Sequence, residues 1–152
     1  MPIVIDGHNL LHAIYKVHEG SGSISDIQLC RIIGRYLKLT GETGEIIFDG
    51  TGPRDKSGFD NISNLEVSFA GQGRDADIII EDKIKTSTAP RRLTIVSSDR
   101  RLRKAGRVRK TTVIKSEVFW NLVQKQLSRK KAAREPAEKH LGLTESETKQ
   151  WL

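Results

Sequence analysis

The chain has 152 residues, 36% of them apolar, and carries 26 Lys and Arg against 19 Asp and Glu, for a net charge of +7. That length suits one domain and that composition allows a packed core, while the single cysteine, Cys30, excludes an internal disulfide and a Cys-based zinc site and points to a reducing compartment. With neither a basic, apolar leader nor any run of about 18 apolar residues, a soluble cytoplasmic protein is expected.

Pro2 to Asp6 is a short apolar run ending in an acid and predicts a strand, and Asn9 to Val17 follows with Leu10, Ala13, Ile14 and Val17 at helical spacing. After the break at Gly20-Ser-Gly-Ser, Ser25 is placed to N-cap a second helix whose apolar positions run from Ile27 through Leu37 and which Gly41 ends. Glu45 to Gly50 predicts a second strand, Gly50 to Ser63 a long loop and Leu65 to Ala70 a third strand. Asp75 to Thr86 reads as a helix with Ala76, Ile80 and Ile84 on one stripe, and Leu93 to Ser97 as a fourth strand. A short basic helix from Arg100 to Gly106, a fifth strand from Thr111 to Ile114 and a helix from Ser116 to about Arg129 complete the series.

Continuous apolar strands alternating with helices imply parallel crossovers and a sheet covered on both faces. The expected fold is therefore α/β, a three-layer α/β/α domain over residues 1–128 with a mainly parallel central sheet of about five strands. Residues 129–152 read as a basic tether followed by a short C-terminal helix, with Thr144 and Glu147 in a capping-box pattern and Trp151 and Leu152 at its end.

In such sheets ligands bind outside the carboxyl ends of the strands, and the acids collect there. Asp6 ends the first strand, Asp49 the second and Asp99 the fourth, while Asp75 and Asp77 open the helix after the third. Asp77 and Glu81, four residues apart, share a helical face. Crowded carboxylates need a counter-charge, and oxygen-only ligands point to Mg²⁺ or Mn²⁺, whose waters serve phosphodiester hydrolysis. Taken singly, Asp6, Asp75 and Asp99 could instead cap the helices that follow them, and Asp49 with Gly50 could be turn chemistry. Asn9 and Ser98 are candidates to orient a carboxylate or an outer water. His8 and His12 have zinc-compatible spacing but no third soft ligand.

The ordered set Ile-Val-Ile-Asp6-Gly-His-Asn9-Leu, Phe-Asp49, Asp75-Ala-Asp77-Ile-Ile-Ile-Glu81 and Val-Ser-Ser98-Asp99-Arg resembles the NYN domains of the PIN-like nuclease superfamily, and within them the bacterial YacP-like branch, over residues 1 to about 127. The resemblance implies a Mg²⁺- or Mn²⁺-dependent endoribonuclease with Asp6, Asp77 and Asp99 as metal-binding acids and Asn9 and Glu81 near them. It also implies messenger RNA at the ribosome as a setting. His8 stands where Tyr is common in the family. The Asp75-Ala-Asp77 doublet leaves two possible ligands, of which the register from Glu81 favours Asp77.

Arg100 to Arg134 hold 13 of the cations and one acid, Glu117, which leaves the remainder of the chain net acidic. Arg100, Arg101, Arg103, Lys104 and Arg107 follow directly on Asp99, so a single-stranded RNA bound along them would run past the acids. Arg54 and Lys56 in the long loop are further RNA-binding candidates, and Phe59 is either a base-stacking aromatic or a loop anchor. A module that binds RNA or ribosomes without cutting is the alternative. Phe48-Asp-Gly-Thr51 looks like the end of a dehalogenase-type phosphatase motif, but Ile47 stands where its nucleophilic carboxylate would be.

Overall fold

Residues 2–17 and 24–140 are described in a computed structural model, with side chains as far as Arg129. The main elements in order are β1 (Ile3–Asp6), α1 (Gly7–Val17), α2 (Asp26–Thr40), β2 (Gly44–Phe48), β3 (Leu65–Phe69), α3 (Ala76–Thr86), β4 (Thr94–Val96), α4 (Arg100–Arg109), β5 (Thr112–Ile114) and α5 (Ser116–His140). Short 3-10 turns occupy Ser57–Phe59 and Pro90–Arg92. The chain divides into two compact units, Met1–Trp120 and Asn121–Leu152. The first carries the whole sheet and the acids; the described part of the second is helical. No described helix is long and apolar enough to cross a membrane.

The five strands form one parallel sheet in the order β3-β2-β1-β4-β5, with Ile5 paired to Ile46 on one side and to Val96 on the other. Successive strands step outward from β1 to β3, and the chain then crosses back to lay β4 against the other side of β1. The strand order therefore reverses between β1 and β4, which opens a crevice at their carboxyl ends. The period-2 pleat sorts the core. Val4, Ile47 and Ile95 meet Ile80 and Ile84 of α3 and Leu102 of α4, while Ile5, Ile46 and Val96 turn to the opposite face and are fully buried there. Covering both faces is what the unbroken apolar strands predict.

Local chemistry sets the helix ends. Ser25 caps α2 through a reciprocal box with Gln28, and Gly41 closes it in the left-handed conformation. Helix α1 starts directly after the strand, at Gly7 and not at Asn9, because a residue without Cβ allows the backbone to lie against the Phe48 ring. Helix α4 runs past Gly106 to Arg109, with Gly106 close against Val113 and Lys110 taking the left-handed cap. Helix α5 runs to His140, where a tether was expected from residue 129; Lys, Arg and Ala there are good helix formers and carry the turn onward. The Gly20–Ser23 break and the terminal helix around Thr144, Glu147, Trp151 and Leu152 lie outside the described residues.

Candidate active site

Asp6 is in phase with Val4, so its side chain faces the α3 and α4 layer at the mouth of the crevice. It is only 7% exposed. Burial raises its pKa from 3.8 to about 6, and the nearby Asp49 and Asp77 carboxylates add to the rise. The Ser97 hydroxyl and the backbone amide of Asn9 act in the opposite sense. Ser97 Oγ donates to Asp6 Oδ2 at 3.2 Å and accepts from the Asp99 amide at 3.1 Å, which ties the ends of β1 and β4 to the start of α4.

Asp77, in the first turn of α3, has one buried carboxylate oxygen, Oδ1, with no hydrogen-bond partner among the described residues. Such an atom is costly to leave bare at low dielectric. Asp75 precedes the helix, is exposed and makes no side-chain cap bond. The capping falls to Asp49, whose Oδ1 accepts from the Ala76 amide at 2.6 Å across the β2–β3 side of the site, while His8 Nδ1 lies 3.2 Å from Asp49 Oδ2. Asp99 caps α4 with Oδ1, which accepts from the Arg101 and Leu102 amides. Its other oxygen takes part in no side-chain hydrogen bond among the described residues.

Three predicted site residues point elsewhere. Ser98 does not turn to the acids: its hydroxyl donates to Glu117 at 3.0 Å and accepts from the Ser116 amide, and the adjacent Ser97 is the serine that holds Asp6. The parallel register decides this, since Ile5 opposite Val96 places Asp6 beside the next residue, Ser97. Glu81 is likewise committed elsewhere. Arg101 grips both its oxygens, Nε to Oε2 at 2.8 Å and Nη2 to Oε1 at 2.9 Å, and this pairing lowers the Glu81 pKa. Asn9 does not turn its oxygen to an acid either: Oδ1 accepts from the Ser98 amide at 2.9 Å and from the Ser116 hydroxyl at 2.6 Å, which makes it a brace between elements. Ser97, fully buried, escaped the sequence reading because only strand adjacency gives it a polar neighbour, while Ser116, read there as the cap of the last helix, is also buried and gives its hydroxyl to Asn9.

The cations divide into those with a partner and those without one among the described residues. Arg101 is bound to Glu81 and senses Asp77 and Asp99 while its side chain stays 57% exposed, so it is a counter-charge to the acids at the surface of the site. Arg100, Lys104 and Arg107 are exposed on α4, and Arg103 is half-buried. Arg54 is exposed, whereas Lys56 donates to the Pro53 carbonyl and sits over the Phe69 ring. Phe59 is the anchor and not the stacking aromatic: it is 7% exposed and packed against Phe48 and Phe69.

Among the described residues no three acids, histidines or cysteines stand close enough to enclose an ion unaided. The donor set nevertheless suits a hard, hydrated cation, which takes one or two carboxylates and keeps its waters. The buried bare oxygen of Asp77 and the Asp6 carboxyl, raised by burial and further by Asp49 and Asp77, are the two places a cation would relieve.

A parallel α/β/α domain with acids at its switch-point crevice belongs to the doubly wound class that binds ligands there. The YacP-like NYN domain, a nuclease-type family, matches residues 3–151, and the chain belongs to that family. The match extends through the tail, which the sequence resemblance left out after residue 127. In structure the chain is similar to a Trp-to-Leu mutant of Rae1 (YacP) from Bacillus subtilis, with a TM-score of 0.67 at 16% identity over 99% of this chain and 91% of that one. It is also similar to Rae1 (YacP) without that mutation, with a TM-score of 0.62 at 18% identity over 93% and 87%. At such identities the likeness speaks for the fold. No curated protein matches the chain.

Proposed function

We propose that this protein is a Mg²⁺- or Mn²⁺-dependent endoribonuclease that hydrolyses single-stranded RNA, with messenger RNA at the ribosome as its setting. The observation that carries the proposal is the buried, partnerless Asp77 Oδ1 on the side of the site where Asp6 is held protonated to about pH 6. Two carboxyls arranged at an energetic cost to the fold are a reason to look for chemistry there. Asp6, Asp77 and the outward oxygen of Asp99 would hold the cation. Once bound, the ion supplies an activated water and charge relief at the phosphate. Ser97 fixes the Asp6 carboxyl and ties it to Asp99; Asn9 braces the Ser98 backbone against α5, which keeps the β4 end of the crevice in place. Arg101 keeps Glu81 out of the centre and tempers the repulsion between Asp77 and Asp99. Arg100, Lys104 and Arg107 give the approaching phosphates a cationic flank.

The rival reading, a module that binds RNA or ribosomes without cutting, draws its support from Asp99, which spends one oxygen on capping, and from Glu81, which Arg101 occupies. Single-stranded RNA incubated with Mg²⁺, with and without ribosomes, separates the two. Cleavage that leaves 5′-phosphate ends and is lost in Asp6→Asn and Asp99→Asn supports the enzyme. Equal cleavage by all three proteins would place the activity elsewhere, and binding with no metal-dependent cleavage under either condition would leave the module.

A further inference from the structure

The β2–β3 connection has no crossover α-helix. Its Ser57–Phe59 turn and the residues up to 63 run beside α2, and a groove of about 800 Å³ lies between them. Two glycines bring the walls together at its floor: a Cβ on Gly58 would stand 2.7 Å from Ile27 Cδ1, and one on Gly34 would stand 2.6 Å from Ile62 Cγ2. Arg31, Arg35 and Lys38 line the α2 side. Spaced four and three residues apart, they share one helical face and step along it by about 6 Å and about 4.5 Å. All three are exposed, and none makes an ion pair among the described residues. The opposite wall offers Ser57, Asn61 and Ser63, with Asp60 as the one carboxylate in the lining.

The groove also has a direction. Phe59, next to Gly58, packs against Phe48 and Phe69, the last residues of β2 and β3, so this end of the groove lies at the carboxyl end of the sheet, on the face opposite the one Asp6 joins. The other end, by Gly34 and Ser63, lies toward the start of β3. A strand passing from the acids across the carboxyl edge of β2 and β3 to the α2 side would meet Arg31 first and Lys38 last.

We propose that this groove is a second RNA-backbone site, which takes the stretch of single-stranded RNA that leaves the acid-lined crevice on the β3 side. The proposal rests on RNA being the substrate. A row of unpaired cations suits consecutive phosphates; the Arg forks suit phosphate oxygens in particular, and the hydroxyl and amide groups opposite suit 2′-hydroxyls. An acidic polypeptide could pair with the same cations and polar groups; RNA is the occupant favoured because the groove begins at the carboxyl end of the sheet, where the substrate backbone would leave the acids.

The test is binding, not cleavage. Fluorescently labelled oligouridylates of increasing length are titrated into the full chain in EDTA over a range of salt concentrations, with the Arg31→Ala/Arg35→Ala/Lys38→Ala variant beside the wild type. Removing three phosphate contacts should make the dependence of log K on log salt shallower by about 2. The loss should appear with long oligomers and vanish with those too short to reach the groove. A control variant, Arg91→Ala/Arg92→Ala/Lys115→Ala, removes the same charge from other exposed positions and should change the slope less. Equal slopes for wild type and groove variant, or equal losses in groove and control variants, would overturn the site. So would polyglutamate binding that falls in the groove variant as much as RNA binding does, because the occupant would then be an acidic chain. RNA binding that depends on the groove in a protein that never cleaves RNA would keep this site and reject the nuclease.

Discussion

Replacing Asp6 by Asn should stabilise the metal-free protein at neutral pH. The Asp6 carboxyl titrates at about 6 in the folded chain against 3.8 as its ordinary value, so between those limits the folded state keeps a proton that the unfolded state has released. Stability from this group is complete below about pH 4 and is lost as pH rises through about 6. A gap of about 2 pH units at about 1.4 kcal/mol each puts the loss near 3 kcal/mol above that range, an upper figure for a side chain as buried as this one. Asn is neutral throughout and still accepts from the Ser97 hydroxyl, so it escapes that loss. For a chain of this size the gain corresponds to about 6 to 12 °C in Tm. Thermal melts in EDTA from about pH 4 to about pH 7.5 should show the two proteins alike at the acid end and the variant higher at the neutral end. Added Mg²⁺ should then raise the wild type more than the variant, because a cation bound only to the folded state adds to stability by mass action. A variant no more stable than wild type at neutral pH, or a difference constant across the range, would refute the picture of a carboxylate held at a cost for a cation.

Three further outcomes follow from the same geometry. Asp99→Ala should cost about 1 kcal/mol in urea denaturation through the lost cap of α4, whereas Asp99→Asn keeps a capping group and should lose cleavage with little change in stability. Arg101→Ala should tighten Mg²⁺ binding measured by calorimetry, since it removes the cation that senses both Asp77 and Asp99; an unchanged Kd would show that Arg101 is electrostatically remote from the site. Phe59→Ala should cost about 3 kcal/mol or more by emptying an aromatic cluster, whereas Phe59→Leu, which keeps an apolar anchor without the ring, should leave RNA affinity unchanged; a selective loss of RNA affinity in Phe59→Leu would return the ring to a stacking role.

The sequence alone determined the order of elements, the layer architecture and the end of the sheet where the acids gather. Those features rest on local signals, namely apolar runs too short for helices, helical stripes such as Ala76, Ile80 and Ile84, and caps such as Ser25 and Gly41, which act within a few residues and can be read without knowing the neighbours. Tertiary structure decided which polar groups meet. Ser97 and not Ser98 holds Asp6 because β4 lies beside β1 in one register, and in a pleated strand a single position turns a side chain to the other face. Arg101 reaches back to Glu81, and Asp49 caps α3 in place of Asp75, because those partners are 20 and 27 residues away in the chain and adjacent only once the strand order is set. The groove beside α2 was hidden for the same reason: Arg31, Arg35 and Lys38 look like an ordinary solvated helix face until the 57–63 segment is laid against it. Hydrogen bonds and ion pairs act over a few ångströms, so their partners are set by how the layers stack, about which the linear order of residues says little.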